Sequence, residues 1–460
     1  MPLPGGLRAF LAPFRRLLAV AITLCVAAPA VAELHRHRLD NGMQIIVKED
    51  HRAPVVVSMV WYRAGSMDEV SGTTGVAHVL EHMMFKGTRE LAPGQFSKTI
   101  ARAGGRDNAF TSRDATAYHQ QLHVSQLPLA LKLEADRMAN LTLSQQEFDR
   151  EIKVVMEERR LRTEDQPRSL LYESFLATAY QQHPYRTPIV GWMRDLENMN
   201  VEDARAWYRA WYAPNNATLI VVGDIDAREV FEQAQRWFGN IAPRTLPERR
   251  AQAEPVQRGT RRAVVGAPAE LPYVLMGWHV PVLRDLERDW EPYALWVLAE
   301  ALDGSEAARL PRALVRELRV AVSAGASYDA LSRGPGLFVL SGTPATGRTV
   351  DELEAALREQ LGAIAEHGIT AVELERTKVQ AVAAQVFQRD SMFAQAMQIG
   401  RAHNAGLPPD GAELQVRKLQ EVTAEQVQAV ARKYFGEDGV TVVTLKPQPL
   451  AAAAPGTSAQ

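Results

Sequence analysis

The stretch from Thr74 to Thr88 places two histidines and a glutamate within five residues of a mostly apolar run: His78, Glu81 and His82. On an α-helix, residues three or four positions apart lie on one face, so these side chains would converge. Two neutral imidazoles one turn apart can bind zinc, and a neighbouring carboxylate can take a proton from a metal-bound water. The spacing therefore predicts part of a zinc site. The alternative is a pair of histidines on a surface helix without a function.

A catalytic zinc ion usually has three protein ligands and one open position, so a third donor is needed. Helical periodicity over residues 144–162, with a capping-box pair at its start, predicts a helix that carries Glu151, Glu157 and Glu158. Glu151 and Glu158 are seven residues apart and share one face, whereas Glu157 points about a quarter turn away. The pattern alone leaves the choice open, because glutamates on an exposed helix are usually only solvated.

The first 32 residues are predicted to be a signal peptide. Three arginines precede an apolar run over residues 17–28, and Ala30-Val31-Ala32 offers a cleavage site. An uncleaved membrane anchor is the alternative, whereas no stable membrane insertion is expected once the leader is removed. The only cysteine, Cys25, lies in this leader, so the mature chain would have no thiol to bind metal or form a disulfide. These features predict export, most simply to the periplasm.

Composition narrows the class of protein. The chain has 460 residues, of which 46% are hydrophobic and 23% charged, which is typical of a globular protein of two or more domains. The net charge is −2 and the sequence contains no basic block, which excludes nucleic acid as a partner.

Residues 44–47 and 55–61 have strand-like patterns and are predicted to form an antiparallel hairpin.

An internal repeat predicts two halves of one architecture. Residues 196–218 align without gaps on residues 419–441, and each copy has the pattern of a capped helix that leads into a strand. The predicted fold class is therefore α+β, with two tandem homologous domains, each a mostly antiparallel sheet packed with helices. The predicted boundaries are 1–32 for the signal peptide, 33–240 for the N-terminal zinc-binding domain, 241–262 for a linker, 263–446 for the C-terminal homologous domain and 447–460 for a disordered tail.

The run HVLEHMMFKGT, which begins at His78, resembles the active-site signature of the pitrilysin/insulinase metallopeptidases, and most closely that of bacterial relatives of the catalytic β-subunit of the mitochondrial processing peptidase. In that family the third ligand is the last residue of a Glu-x-x-x-Val-x-x-Glu run, which here extends from Glu151 to Glu158. The resemblance implies one zinc ion per chain, bound by His78, His82 and Glu158. It also implies Glu81 as the general base and Glu151 as a second catalytic acid that supports the site.

A further likeness concerns the region from Gly104 to Tyr118, which resembles the edge strand of that family. The family binds an extended substrate by adding it as a strand to this edge. The resemblance therefore implies Asn108, Ala109 and Phe110 as substrate-binding residues. The alternative is an ordinary Asx turn that precedes a strand.

The second half departs from the family pattern at one position. Members that act alone carry an arginine and, seven residues later, a tyrosine that together hold the substrate backbone. Here Arg316 is present and implied to bind substrate, but position 323 is a serine, and the nearest tyrosine is Tyr328. The departure favours a heterodimer in which a related family chain supplies the missing tyrosine, and a homodimer is the alternative.

The resemblance implies a zinc endopeptidase that hydrolyses extended or unfolded peptides, with water activated by the metal and a glutamate as base. The alternative function is a non-catalytic assembly subunit, because the family includes scaffold members, although those members typically lack one or more of the ligands. The sequence does not decide between the removal of leader segments and the degradation of loose oligopeptides.

Overall fold

Two β-sheets organise the part of the chain that the computed structural model describes, residues 34–449. The predicted signal peptide with Cys25, and residues 450–460 of the predicted tail, lie outside the described residues. The strands are β1 (Leu34–Arg38), β2 (Gln44–Glu49), β3 (Val55–Tyr62), β4 (Arg106–Thr111), β5 (Thr116–His123), β6 (Ala217–Gly223), β7 (Arg261–Pro268), β8 (Tyr273–Val280), β9 (Ala321–Tyr328), β10 (Gly336–Pro344) and β11 (Val440–Gln448).

The helices cover both faces of these sheets. They are α1 (Val76–Met83), α2 (Gln95–Arg102), α3 (Leu127–Asn140), α4 (Gln145–Arg159), α5 (Pro167–Ala179), α6 (Met193–Asn198), α7 (Val201–Trp211), α8 (Ala227–Phe238), α9 (Trp290–Asp303), α10 (Val350–His367), α11 (Ala371–Gln388), α12 (Met392–Asn404), α13 (Ala412–Glu421) and α14 (Ala424–Tyr434). Two short π-helical turns, Arg160–Glu164 and Pro311–Glu317, follow α4 and precede β9.

The strand order shows that the predicted hairpin is wrong. The first sheet has the order β1-β2-β6-β3-β5-β4, and the second has the order β7-β11-β8-β10-β9. Residues 44–47 and 55–61 do form strands, but β6 lies between them, parallel to β2 and antiparallel to β3. The error has a physical reason, because β6 comes from more than 150 residues further along the chain, and a local pattern cannot reveal an inserted partner.

The internal repeat is confirmed. Helix α7 and strand β6 in the first half correspond to α14 and β11 in the second, and both ends of the helices and the starts of the strands are separated by the same 223 residues. Asn200 and Thr423 occupy equivalent N-cap positions, and each forms a capping box. In both sheets this repeated strand pairs with one parallel and one antiparallel neighbour. The predicted fold class of two homologous α+β halves is therefore confirmed.

One helix of each half packs on the sheet of the other half. Helix α5 of the first half buries Leu171 and Phe175 against β7, β8 and β11. Helix α12 of the second half buries Ala396 and Ile399 against β3 and β6. A buried ion pair crosses the same seam, since Arg333 Nη1 lies 2.8 Å from Asp68 Oδ2. The two halves therefore share two apolar clusters, whereas the main core of each half consists of its own residues.

The boundaries differ slightly from the predicted ones. Strand β7 begins at Arg261, within the predicted linker, and β11 continues to Gln448, two residues into the predicted tail. Pro447 and Gln448 pair there with Ala267 and Pro268. Within residues 34–449, no helix combines the length and the apolar composition needed to cross a membrane.

Gly400 of α12 tests the packing of this helix on the first sheet. A Cβ at Gly400 would lie 2.2 Å from Trp61 Cε2, so we expect Gly400→Ala to lower the free energy of unfolding by about 1–3 kcal/mol. The control is Gly362→Ala in α10, where an added Cβ meets no atom within 4 Å. This control should raise stability by about 0.5–1 kcal/mol, because alanine is the better helix residue. Chemical denaturation measures both, and a stabilising Gly400→Ala would contradict the tight packing.

Candidate metal centre

Helix α1 is fixed at its N-terminus and along its apolar face. Gly75 precedes the helix with a φ of 90°, a backbone conformation that glycine adopts without strain. The two carboxyl oxygens of Glu69 accept hydrogen bonds from the N–H groups of Gly75 and Ala77, both at 2.9 Å. Leu80 and Met83 are fully buried in the core of the first half. The polar face of α1 is consequently held toward α4 and β4.

The predicted metal ligands lie together. One ligand atom each of His78, His82 and Glu158 falls within 4.8 Å of the other two. His82 Nε2 is 3.3 Å from Glu158 Oε2, and His78 Nε2 is 3.8 Å from Glu158 Oε1. Donors at about 2.1 Å from a tetrahedral zinc ion would lie roughly 3.4 Å apart, so these three residues fit zinc. Within residues 34–449, no other group of three histidine or acidic residues has this geometry.

The pKa values of the two histidines are shifted in opposite directions. Burial, assisted by the neighbouring His82, lowers the pKa of His78 to about 3, which keeps this imidazole neutral and able to donate a lone pair. Its Nδ1 atom is buried and has no hydrogen-bond partner. Burial also acts to lower the pKa of His82, but the hydrogen bond with Glu151 and the charge of Glu158 outweigh it, and the pKa rises above its usual value.

Glu151 lies behind His82 and does not belong to the group of three. Its Oε2 atom is 3.3 Å from His82 Nδ1, and its Oε1 atom is 2.6 Å from the Lys86 ammonium. Burial acts to raise the pKa of Glu151, but the contacts with His82 and Lys86 outweigh it and lower the pKa. An ionised Glu151 can accept a hydrogen bond from the Nδ1–H group of His82, and in that tautomer the lone pair of Nε2 is free to bind a metal ion held between His78, His82 and Glu158.

Glu81 faces β4. Thr111 at the end of this strand donates its hydroxyl to Glu81 Oε2 at 2.6 Å. Burial raises the pKa of Glu81 above its usual value, although the hydrogen bond from Thr111 opposes the shift. Thr111 lies in the region that resembles the family edge strand, but no local pattern indicates its contact with Glu81, because that contact joins residues 30 positions apart.

A second contact that sequence reasoning missed involves Arg162. Its Nη1 atom lies 2.5 Å from Glu158 Oε1. Arg162 belongs to the π-helical turn that follows α4, whereas the predicted helix ran through to this residue as a regular one. The spacing of four residues between Glu158 and Arg162 was the available signal, since such pairs meet on a helix surface. Glu157, in contrast, is exposed and pairs with Arg160.

The predicted substrate-binding residues lie in two separate places. Asn108, Ala109 and Phe110 lie on β4, which among the strands of residues 34–449 pairs with β5 alone and forms the edge of the first sheet. Arg316 lies in the π-helical turn of the second half, half exposed, and its charged neighbour at 3.9 Å is Glu306. The roles of these residues in binding a substrate remain predictions.

Ser323 and Tyr328 both lie on β9, the edge strand of the second sheet. The Ser323 hydroxyl donates to the hydroxyl of Thr343 at 3.2 Å. The Tyr328 hydroxyl donates to the carbonyl of Pro281 at 2.6 Å. The Tyr328 hydroxyl is therefore already hydrogen-bonded to a residue of the second half.

Comparison with known proteins gives the family. A model described as Insulinase (Peptidase family M16) matches residues 44–191, and one described as Peptidase M16 inactive domain matches residues 198–381. A zinc protease of Helicobacter pylori, PqqE, is 31% identical over 443 residues, which cover 93% of this chain and 96% of the relative. The chain belongs to the M16 peptidase family. The resemblance inferred from the His78 motif is thus confirmed.

Solved structures agree with the M16 assignment. The crystal structure of a protease from Helicobacter pylori has a TM-score of 0.85 and 30% identity, and the match covers 91% of this chain and all of that one. The first half of the periplasmic protease PqqL from Escherichia coli has a TM-score of 0.74 at 20% identity, over 90% of this chain and 91% of that one. The second likeness concerns the fold alone.

The carboxyl group of Glu69 yields a pH prediction. Burial raises the pKa of Glu69 to about 8, against 4.5 for an unperturbed glutamate. The folded state therefore holds this proton to higher pH than the unfolded state, and stability falls as the pH rises from about 4.5 to 8. We expect the melting temperature of the wild type to fall relative to that of Glu69→Gln over this range. If the melting temperatures of the two proteins change equally with pH over this range, the raised pKa of Glu69 is contradicted.

Proposed function

We propose that this M16 chain is a zinc endopeptidase that hydrolyses extended or unfolded peptides. The observation that carries the proposal is the convergence of His78, His82 and Glu158, with Glu81 on the same helical face as the two histidines. Relatives that are named zinc proteases over nearly the whole chain support the same reading. One zinc ion per chain matches the single set of three donors within residues 34–449.

The residues around the site have distinct tasks. When bound, zinc supplies a Lewis acid that acidifies a water molecule and polarises the scissile carbonyl. Glu81 Oε2 accepts the hydroxyl of Thr111, which leaves Oε1 to accept the proton of the attacking water and to pass it to the leaving amine. Burial raises the pKa of the Glu81 carboxyl, which makes its carboxylate a stronger base, and its protonated form a weaker acid, than those of an exposed glutamate. Glu151 orients His82 and remains a positioning residue.

The free edge of β4 supports an extended substrate. Its outer backbone N–H and C=O groups have no strand partner among the described residues, so a peptide can pair with them. Thr111 ends this strand and contacts Glu81, and a peptide that pairs with β4 would therefore lead its backbone toward the general base. Only a segment whose own backbone groups are free can bind in this way, which favours unfolded chains over folded domains.

A non-catalytic assembly subunit is the alternative from a different class. The match of the second half to a model described as an inactive domain agrees with the lack of a metal-binding group in residues 263–449. The first half, however, has all three ligands and the base, which favours catalysis. Export to the periplasm rests on the predicted leader, and the fold neighbour PqqL is described as a periplasmic protease.

Substitution of the base separates catalysis from metal binding. We expect Glu81→Gln to retain one zinc ion but to lower kcat by about 100- to 10,000-fold, because the amide cannot accept the proton. Glu157→Gln on α4 is the matched control, since its side chain is 58% exposed and contacts only Arg160, and it should leave both properties unchanged. Zinc content and cleavage of a quenched peptide are measured on the same samples. Substantial cleavage by zinc-loaded Glu81→Gln would refute the assignment of the base.

The heterodimer proposal makes a separate prediction about Ser323. If a related chain supplies a tyrosine, the purified chain alone should cleave peptides poorly and gain activity when that chain is added. Ser323→Tyr should raise the activity of the chain alone, whereas Ser323→Phe, which adds the ring without the hydroxyl, should not. Full activity of a wild-type homodimer would overturn the need for a second, different chain.

A further inference from the structure

A small polar cavity lies where α12 of the second half packs on the first sheet. Its volume is about 210 Å³. This space holds roughly seven water molecules at about 30 Å³ each, so it is large enough for a small ion and too small for a peptide. The walls come from β2, β3 and β6, from residues 246 and 249 of the segment that joins the two halves, and from α12.

The lining of this cavity combines basic side chains with neutral polar ones. The basic members are Arg63, Arg249 and His403. The neutral polar members are Gln44, Asn215, Asn216, Thr218 and Asn404. Within residues 34–449, no aspartate or glutamate belongs to the lining. The composition therefore suits an anion and disfavours a cation.

Arg63 brings a positive charge to this cavity without an ion-pair partner. It directly follows β3, and its side chain is exposed. Its Nε atom donates a hydrogen bond to the carbonyl of Asn404 at 3.4 Å. Among the residues that the structure describes, its guanidinium has no carboxylate oxygen within 4 Å, and its two terminal nitrogens have no hydrogen-bond acceptor. Both of these nitrogens are therefore free to bind a ligand.

The acidic residues near Arg63 do not balance the arginines around it. Asp68 accepts a hydrogen bond from Arg249 Nε at 3.0 Å and pairs with Arg333 at 2.8 Å. The carboxylate of Asp114 accepts the backbone N–H of Arg333 at 2.9 Å. Burial and the charges of Arg333 and Arg249 lower the pKa of Arg63, although the charges of Asp68 and Asp114 oppose the shift. Three guanidinium groups thus face two carboxylates, which leaves one positive charge in excess.

Three further hydrogen-bonding side chains line the cavity from different elements. They are Gln44 of β2, Thr218 of β6 and His403 of α12, and none of them forms a side-chain hydrogen bond within residues 34–449. Burial and the positive charges of Arg63 and Arg36 lower the pKa of His403, so its imidazole is neutral and offers one N–H group. Together with Arg63, these donors surround a ligand from several directions.

We propose that this cavity binds one small tetrahedral oxyanion of the phosphate or sulfate type, with Arg63 as its main ligand. A guanidinium presents paired N–H groups that match two oxygens of such an anion. Donors on several sides favour a tetrahedral anion over a flat carboxylate. The anion would neutralise the excess positive charge and would connect α12, the first sheet and the joining segment. No residue of the lining belongs to the metal centre, so this site does not depend on the proposed peptidase function.

Titration calorimetry of the zinc-loaded chain with inorganic phosphate, sulfate and acetate, at an ionic strength held constant with sodium chloride, tests the site. We expect one phosphate per chain with a Kd of about 1 mM or below, similar binding of sulfate and much weaker binding of acetate. Arg63→Gln should weaken phosphate binding by about tenfold or more, because it removes a charged donor. Thr218→Val, which keeps the shape of the side chain, should weaken it by about threefold or more. The control is Arg228→Gln, the same charge change at an exposed position of α8 outside the lining, which should leave the affinity unchanged.

The same titration on zinc-free protein separates this cavity from the metal centre, where phosphate can also bind. Binding that persists without zinc and is lost in Arg63→Gln would support the site. Binding that requires zinc, an unchanged affinity in Arg63→Gln, or equal affinity for acetate and phosphate would overturn it. Melting temperatures give a second measurement, since phosphate should stabilise the wild type and Arg228→Gln but not Arg63→Gln. If Arg63→Gln does not fold, Thr218→Val decides, and an unchanged affinity in that variant overturns the proposal.

Discussion

The burial of one face of α1 is the constraint on which the metal centre depends. Leu80 and Met83 anchor a helix of only two turns in the core, and the carboxyl group of Glu69 accepts hydrogen bonds from backbone amides at its start. A helix this short would not persist on its own, because its stability must come from tertiary packing. The packing of α1 on the core of the first half therefore fixes the positions of His78 and His82.

Two acidic residues around the metal centre, Glu151 and Glu158, each contact both histidine and a basic residue. Glu158 contacts both imidazoles and also Arg162, and Glu151 contacts His82 and Lys86. Each acidic residue is thus paired with a basic one as well as with an imidazole. Such pairing offsets the cost of placing a carboxyl group in a partly buried position. It also limits the movement of the ligands when the group is empty.

Much of the centre could be predicted from the sequence, because its signals are local. His78, Glu81 and His82 are one helical turn apart, and a helical face relates Glu151 to Glu158. The contacts of Thr111 with Glu81 and of Phe110 with Trp61 were missed, because each depends on how a distant strand lies over a helix or sheet. The same limit explains the wrong hairpin, since β6 enters the first sheet after long helical segments.

The repeat was visible in the sequence, but the way in which its two copies combine was not. Helical periodicity identifies a face that must be buried, yet it does not state which sheet buries it. The apolar faces of α5 and α12 each pack against the sheet of the opposite half. The repeat predicts two similar domains, and only the tertiary structure shows that two apolar clusters connect them.

This reciprocal packing has a consequence for the motions open to the molecule. Pulling the halves apart would strip α5 from one sheet and α12 from the other at the same time, and would also break the buried Arg333–Asp68 pair. A hinge between them would thus expose two apolar surfaces to water at once. The packing therefore favours movement of the two halves together over an opening between them.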